Sequence, residues 1–108
     1  MTNVQLDKFY QHQDGGLYQV SAIATSTEDG VTQLVIYNHT YPFEQRLWAR
    51  PMVEWTTARF RQLTHEEVRS IMLQDRDTLK QQIADHKKAR KQQEQEAQRN
   101  LMLDVNDL

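Results

Sequence analysis

The chain has 108 residues, a formal net charge of −2, 38% hydrophobic residues and 26% charged residues, a composition typical of one soluble globular domain with an appendage. It has no cysteine, which excludes disulfides, thiolate zinc sites and cysteine nucleophiles. No segment reaches the ~18 apolar residues of a membrane span, and the N-terminal segment lacks the pattern of a secretory signal. We therefore expect a cytoplasmic protein without a membrane partner, and the slightly acidic balance argues against a generally cationic nucleic-acid binder.

The first half of the chain has the pattern of short β-strands. It carries every tyrosine, tryptophan, phenylalanine, glycine and proline of the sequence. Turn signals occur at DGG, from residue 14, and at DG, from residue 29, and the second of these indicates a hairpin. The strand candidates are a segment around Tyr10 and residues 17–25, 33–39, 46–50 and 59–63. This pattern predicts a mainly β domain over residues 1–63, either a small SH3-like barrel or a curved antiparallel sheet.

At Thr64 the period of the apolar residues changes from two residues, as in a strand, to about 3.6 residues, as in a helix. Thr64 and Glu67 form a capping-box pattern, which predicts the start of a helix. An apolar stripe follows, interrupted at Asp75; its members are Val68, Ile71, Met72, Leu79 and Ile83. We predict a second segment, residues 64–108, that consists of one long polar C-terminal helix over residues 64–99 and a short acidic-hydrophobic tail. Such a helix would be roughly 54 Å long against roughly 27 Å for the β domain, so its second half is expected to extend beyond the sheet.

The run RLWARP, residues 46–51, is the most unusual feature of the β half. Side chains alternate between the faces of a strand, so Arg46, Trp48 and Arg50 share one face. The opposite face, with Leu47 and Ala49, is expected to belong to the core. The Arg and Trp side chains either stack on one another as a structural brace or form a surface for phosphate, carboxylate or a nucleobase.

Other chemical motifs are weak. His12 and Asp14 have a spacing that suits a metal ion or an oriented imidazole, but no third ligand position is evident, and hydrogen bonds to the nearby turn are the simpler interpretation. The sequence has no nucleophile elbow, phosphate-cradling glycine loop or dinucleotide fingerprint. We therefore expect neither an enzyme nor a bound metal or cofactor.

The only dense basic cluster is HKKARK, residues 86–91. Its cations are Lys87, Lys88, Arg90 and Lys91. This pattern favours a solvated helix face, and the alternatives are contact with a nucleic-acid backbone or a homo-oligomer contact through the helix. The last eight residues, LMLDVNDL, are expected either to dock on a partner or to fray.

The order YQHQDGGLYQV, LVIY, LWARP and RF resembles the small bacterial and phage family known as domain of unknown function 1653. The resemblance covers about residues 9–61. The matching positions are Tyr10, His12, Gly15, Gly16, Tyr18, Val20, Val35, Tyr37, Tyr41, Trp48, Arg50 and Pro51. Trp55 stands where members of the family usually carry phenylalanine. The resemblance implies a compact β fold but no particular activity, and it does not extend to the polar helix.

From these patterns we expect a non-catalytic binding protein for a small anionic or nucleotide-like ligand. The expected ligand-binding residues are Tyr10, His12, Tyr37, Tyr41, Arg46, Trp48 and Arg50. The family that the chain resembles has phage members. By analogy with them, a more specific form of this expectation is an oligomer that sequesters a host nucleotide signal in the host cytoplasm. The alternative is a protein-interaction or nucleic-acid adaptor that uses the barrel and the basic helix arm.

Overall fold

The computed structural model of the chain describes the backbone of residues 4–106 and the side chains of residues 4–101. Within residues 4–106, five strands precede two helices, and a 3-10 turn, Met52–Glu54, separates the last two strands. The strands are β1 (Phe9–His12), β2 (Leu17–Thr25), β3 (Gln33–Tyr41), β4 (Leu47–Pro51) and β5 (Phe60–Gln62), and the helices are α1 (His65–Met72) and α2 (Arg76–Asn106). Each predicted strand segment is confirmed, and β3 runs to Tyr41 rather than ending at residue 39.

The strands form one antiparallel sheet in the order β4-β3-β2-β1-β5. The sheet is curved but not closed, so β4 and β5 are its two edges. The prediction of a mainly β protein with a C-terminal helical segment is confirmed, and of the two predicted architectures the structure has the curved sheet. The β2–β3 turn forms where predicted, because the Asp29 carboxylate accepts hydrogen bonds from the amides of Val31 and Thr32, both at 2.9 Å, and Gly30 adopts a φ of 67° that glycine tolerates.

One hydrophobic core lies on a single face of the sheet. Trp55, which follows the 3-10 turn, is 2% exposed, and its ring stacks on Phe60 with a centroid distance of 3.7 Å. The core consists of Tyr10, Val20, Val35, Tyr37, Trp55 and Phe60. The strand members reach the same face because their positions alternate along each strand and are in register across the sheet.

A second core joins the sheet to the helices. It consists of Leu17, Leu63, Val68, Ile71, Leu79 and Ile83, with Phe9, Tyr41 and Phe43 packed against them. The predicted apolar stripe of the helical segment is therefore buried, with one exception. Met72, the last residue of α1, is 50% exposed.

The helical segment is divided, although a single helix was predicted over residues 64–99. α1 ends at Met72 and α2 begins at Arg76. The Asp75 carboxylate accepts hydrogen bonds from the amide of Thr78 at 2.9 Å and from its hydroxyl at 2.8 Å. A short acidic side chain that bonds the backbone locally favours a new helix start over continuation. Because of this break, Leu79 and Ile83 belong to a separate helix, α2, and pack into the second core from there.

The expectation that Leu47 and Ala49 belong to the core is wrong. Leu47 is 62% exposed, and Ala49 is exposed as well. β4 is an edge strand, and the core that contains Trp55 lies on the sheet face that carries Trp48 and Arg50. Leu47 and Ala49 are on the other face. Arg50 shows this directly, since its guanidinium carbon lies 5.5 Å from the centroid of the Phe60 ring.

Beyond Ile83 the side chains of α2 are exposed up to residue 101, except that Arg90 is half-buried. This agrees with the prediction that about half of the helical segment packs on the sheet. The expectation for the LMLDVNDL tail falls almost entirely on residues 102–108, which lie outside the described side chains. None of the described helices is long and apolar enough to cross a membrane.

The predicted capping box at the start of α1 is present. The Thr64 hydroxyl accepts a hydrogen bond from the Glu67 amide at 3.2 Å, and the Glu67 carboxylate accepts one from the Thr64 amide at 3.0 Å. We expect Thr64→Ala to lower the free energy of unfolding by about 1 kcal/mol, because it removes the acceptor for one amide. Urea denaturation measures this change. Ser70→Ala, an exposed position within α1, is the control and should cause no loss; an equal loss in both variants would contradict a role for the cap.

Candidate functional site

A cleft of about 1020 Å³ lies between the sheet and α2. We call its two sides the sheet wall and the helix wall. The sheet wall includes His12, Asp14, Tyr18, Tyr37, His39, Phe43, Arg46, Trp48, Arg50 and Arg59, and the helix wall consists of Lys80, Ile83, Ala84, Lys87 and Arg90. Helix residues 80, 83, 84 and 87 have the spacing of a single helix face, so one face of α2 lines the cleft.

Most of the predicted ligand-binding residues meet in this cleft. His12, Tyr37, Arg46, Trp48 and Arg50 all line it. Strand pairing explains the convergence, because Tyr37 of β3 lies opposite Trp48 of β4, and Val35 lies opposite Arg50. Trp48 is 43% exposed, so part of its indole remains accessible from the cleft.

Two predicted residues do not line the cleft. Tyr10 is 4% exposed, and its ring packs edge-on to Trp55 at 5.4 Å in the first core. Tyr41 lies at the end of β3, where its hydroxyl donates a hydrogen bond to the backbone carbonyl of Gln74 and the guanidinium of Arg76 lies 5.3 Å from its ring centroid. Both tyrosines therefore hold structural elements together, Tyr10 within the sheet and Tyr41 between the sheet and the α1–α2 junction.

The basic helix cluster is divided by the fold. Lys87 and Arg90 face the cleft, whereas Lys88 and Lys91 are exposed and line neither described cavity. The two sets of residues that the sequence presented as alternatives, RLWARP and the basic arm, thus contribute to one site. Their proximity depends on the packing of α2, which the sequence pattern did not reveal.

The aromatic part of the sheet wall is larger than predicted. The ring centroid of His39 lies 5.7 Å from that of Trp48 and 5.7 Å from that of Phe43. The Tyr18 and His39 rings meet edge to face, with their centroids 4.5 Å apart. Tyr18 and His39 were missed as cleft residues. The available signal was the strand period, because His39 is two residues after Tyr37 and so shares its face.

The arginines of the cleft differ in their partners. Arg50 donates hydrogen bonds to the Tyr37 hydroxyl and to the Glu54 carboxylate, both at 3.4 Å, and Arg59 contacts the same carboxylate at 3.5 Å. The guanidinium carbon of Arg46 lies 5.8 Å from the Trp48 ring centroid, near the outer limit of a cation–π contact. Arg50 is therefore partly a structural brace, and Arg46 is exposed toward solvent.

Asp14 is the buried charge of the site, at 7% exposed. Arg90 donates two hydrogen bonds to its carboxylate, from Nε at 3.1 Å and from Nη2 at 3.0 Å. Burial alone would raise the pKa of Asp14, but the hydrogen bonds from Arg90 and the charges of His12, Arg90 and Lys87 outweigh burial and lower the pKa. Asp14 is thus a carboxylate that fastens α2 to the β1–β2 turn.

His12 is oriented by the same turn. The amide of Asp14 donates a hydrogen bond to His12 Nδ1 at 3.1 Å, so the neutral ring carries its proton on Nε2. Burial lowers the pKa of His12; the Asp14 carboxylate opposes this shift, and Arg50, Arg90 and Arg59 add to it. The imidazole is therefore neutral at pH 7.

The cleft as a whole is cationic although the chain is acidic. Its basic side chains are Arg46, Arg50, Arg59, Lys80, Lys87 and Arg90, and its carboxylates are Asp14 and Glu44. Burial, followed by the charge of Arg46, lowers the pKa of His39, so this ring is also neutral at pH 7. Among the described residues, no group of three or more His, Asp or Glu side chains is arranged to hold a metal ion.

Residues 8–68 match the family of proteins of unknown function DUF1653. The match covers more than half of the chain, and the chain belongs to this family. It includes all five strands and the start of α1 but ends before α2, so the helix wall lies outside the matched region. No curated protein and no solved structure matches the chain.

The Arg90–Asp14 pair predicts a stability effect. Arg90→Met leaves the buried carboxylate without its partner, and we expect a loss of about 1–3 kcal/mol in the free energy of unfolding at pH 7. The folded pKa of Asp14 is lowered, so this contribution is present above its ordinary value of 3.8 and disappears as the pH falls through the lower folded value. Chemical denaturation of the wild type and the variant at pH 7 and at pH 3 measures the loss at pH 7 and its decrease at low pH. Lys88→Met is the matched control, and an equal loss there would refute the assignment.

The lowered pKa of His12 predicts a second pH dependence. Between the folded value and the ordinary value of 6.5, the unfolded chain binds more protons, so stability falls as the pH falls through that window. His12→Asn keeps an acceptor near the Asp14 amide but does not titrate. We expect the drop in melting temperature from pH 7 to pH 5 to be smaller in this variant than in the wild type. His39 still titrates, so part of the drop remains; an unchanged drop would contradict the burial of His12 as a neutral ring.

Proposed function

We propose that this DUF1653 protein binds a small anionic, nucleotide-like ligand in the cleft between the sheet and α2, without catalysing a reaction. The observation that carries the proposal is the combination of an accessible aromatic wall with an excess of cationic side chains in one cavity. Ligand sites in proteins are typically concave and mostly apolar, with a few placed polar groups. An aromatic wall with several cations is more specific, since it suits a flat ring that carries phosphate.

The aromatic residues supply the surface for a base. Trp48 is 43% exposed, and His39 lies beside it with an interplanar angle of 34°. Stacking of a base on an aromatic side chain contributes about 1–3 kcal/mol. Arginine and lysine then supply the phosphate contacts, arginine through its planar fork and lysine as a point charge.

The geometry around His12 supports binding rather than catalysis. Nδ1 of His12 is occupied by a backbone amide, and the neighbouring Asp14 carboxylate is held by two hydrogen bonds from Arg90. A general acid–base pair needs groups that are available to exchange a proton with the ligand. Here the Asp14 carboxylate and Nδ1 of His12 are engaged in fixing the β1–β2 turn and α2, so these two groups do not form a free acid–base pair.

A more specific version of the proposal is sequestration of a nucleotide signal. A protein that holds such a ligand without turnover lowers its free concentration by mass action. The resemblance to phage proteins motivates this version, and the host cytoplasm would be its place of action. In this version a second copy of the chain would associate through the exposed distal half of α2.

The adaptor alternative uses other residues. Lys88 and Lys91 are exposed outside the cleft, and a nucleic-acid contact through the helix arm would depend on them. Substitution of these two lysines therefore separates the alternatives, because cleft binding does not require them.

Arg46→Met is the sharpest test of the proposed function, because Arg46 is exposed and its loss removes no ion pair among the described residues. We expect it to weaken ligand binding by about 1.5–3 kcal/mol, the range for hydrogen bonds to charged groups, with little change in melting temperature. Mass spectrometry of molecules that co-purify with the protein identifies the ligand, and calorimetric titration measures the affinity. Arg50→Met should reduce both affinity and stability, because Arg50 also contacts Tyr37 and Glu54.

Arg69→Met is the matched control, since Arg69 is an exposed arginine of α1 that lines neither described cavity. It should leave the affinity unchanged. Trp48→Ala should weaken binding through the loss of stacking area. Full affinity in Arg46→Met and Trp48→Ala would refute the cleft as the binding site.

A further inference from the structure

Cations face the cleft from both of its walls. Arg46 projects from the segment that leads into β4, while Lys80 and Lys87 project from α2. Lys80 and Lys87 are seven residues apart, which places them two helical turns apart on the same face. The rise along the helix axis between them is about 10 Å. The helix wall therefore presents two separate positive charges opposite those of the sheet.

These three cations differ from the other basic residues of the cleft. Arg50 and Arg59 contact Glu54, and Arg90 contacts Asp14. Within residues 4–101, no carboxylate lies within 4.0 Å of Arg46, Lys80 or Lys87. The unneutralised charge is thus distributed over both walls rather than concentrated at one point.

The two ends of the cleft are also distinct. The guanidinium carbon of Arg46 lies 5.8 Å from the centroid of the Trp48 ring, and His39 lies beside Trp48. Lys87 is instead one helical turn before Arg90, whose guanidinium donates hydrogen bonds to Asp14. Arg46 therefore lies at the aromatic end, and Lys87 lies at the end fastened by the Arg90–Asp14 pair.

We propose that the ligand carries at least two phosphate groups, of which one is held by Arg46 at the aromatic end and another by Lys87 of the helix wall. This inference rests on the proposed function and names the class of ligand. A single phosphate held by Arg46 leaves the charge of Lys87 unneutralised, whereas a second phosphate neutralises it. The volume of about 1020 Å³ is slightly above the roughly 300–1,000 Å³ of ordinary ligand pockets, so it is large enough for a ligand with two phosphates.

Calorimetric titration of the full chain with AMP, ADP and cyclic di-AMP, and with the corresponding guanine nucleotides, tests the inference. We expect a two-phosphate probe to bind at least about tenfold more tightly than its monophosphate, since a hydrogen bond to a charged group is worth at least that factor. The test then combines these probes with Arg46→Met and Lys87→Met. Lys88→Met is the matched control, because Lys88 is an exposed lysine next to Lys87 that does not line the cleft.

For the tightest two-phosphate probe, Arg46→Met and Lys87→Met should each reduce the affinity, and Lys88→Met should not. For the monophosphate, only one of the two cleft substitutions should matter, because one phosphate cannot occupy both places. Equal affinity for both probe classes, or equal effects of Lys87→Met and Lys88→Met, would overturn the two-phosphate inference while leaving the cleft as a nucleotide site. Failure of every nucleotide to bind would overturn the proposed function together with the inference.

Discussion

The close approach of α2 to the β1–β2 turn is the contact on which the cleft depends. Gly15 has a φ of 116°, and a Cβ at this position would lie 3.2 Å from Cγ1 of Ile83. Only glycine combines that backbone conformation with that proximity. Ile83 thereby reaches the second core beside Leu17, and the helix axis is fixed close to the sheet. Both walls of the cleft, and hence the distance between their charges, follow from this packing.

The Arg90–Asp14 pair fixes the rotation of α2 about its axis, which the apolar contact leaves open. Hydrophobic packing at Leu79 and Ile83 is largely non-directional, so it does not by itself fix the rotation of a 31-residue helix. The two hydrogen bonds from Arg90 to Asp14 fix one point on α2 beyond the second core. With that point fixed, Lys80 and Lys87 face the cleft and Lys88 faces solvent.

The sequence patterns predicted best those features that depend on residues a few positions apart in the chain. Alternation within strands, the turn at Asp29-Gly30 and the capping box at Thr64 each involve residues a few positions apart, and all three are present in the structure. The break at Asp75 was visible only as an interruption of the apolar stripe, because an aspartate that caps a helix and one on a helix surface look alike in a sequence. The orientation of β4 was misjudged for a related reason: the alternation shows which residues share a face but not which face the core covers.

The sequence by itself determined the five strands, the helical C-terminal segment, and the grouping of Arg46, Trp48 and Arg50 on one face. Strand alternation and helix capping are set by neighbouring residues. Only the tertiary structure decided that Tyr10 and Tyr41 do not line the cleft, that Tyr18 and His39 do, and that Lys87 and Arg90 line the same cleft as the RLWARP segment. The pair of Arg90 with Asp14 joins residues 76 positions apart, and no local pattern specifies it. Such long-range contacts arise from packing, which depends on the whole chain at once.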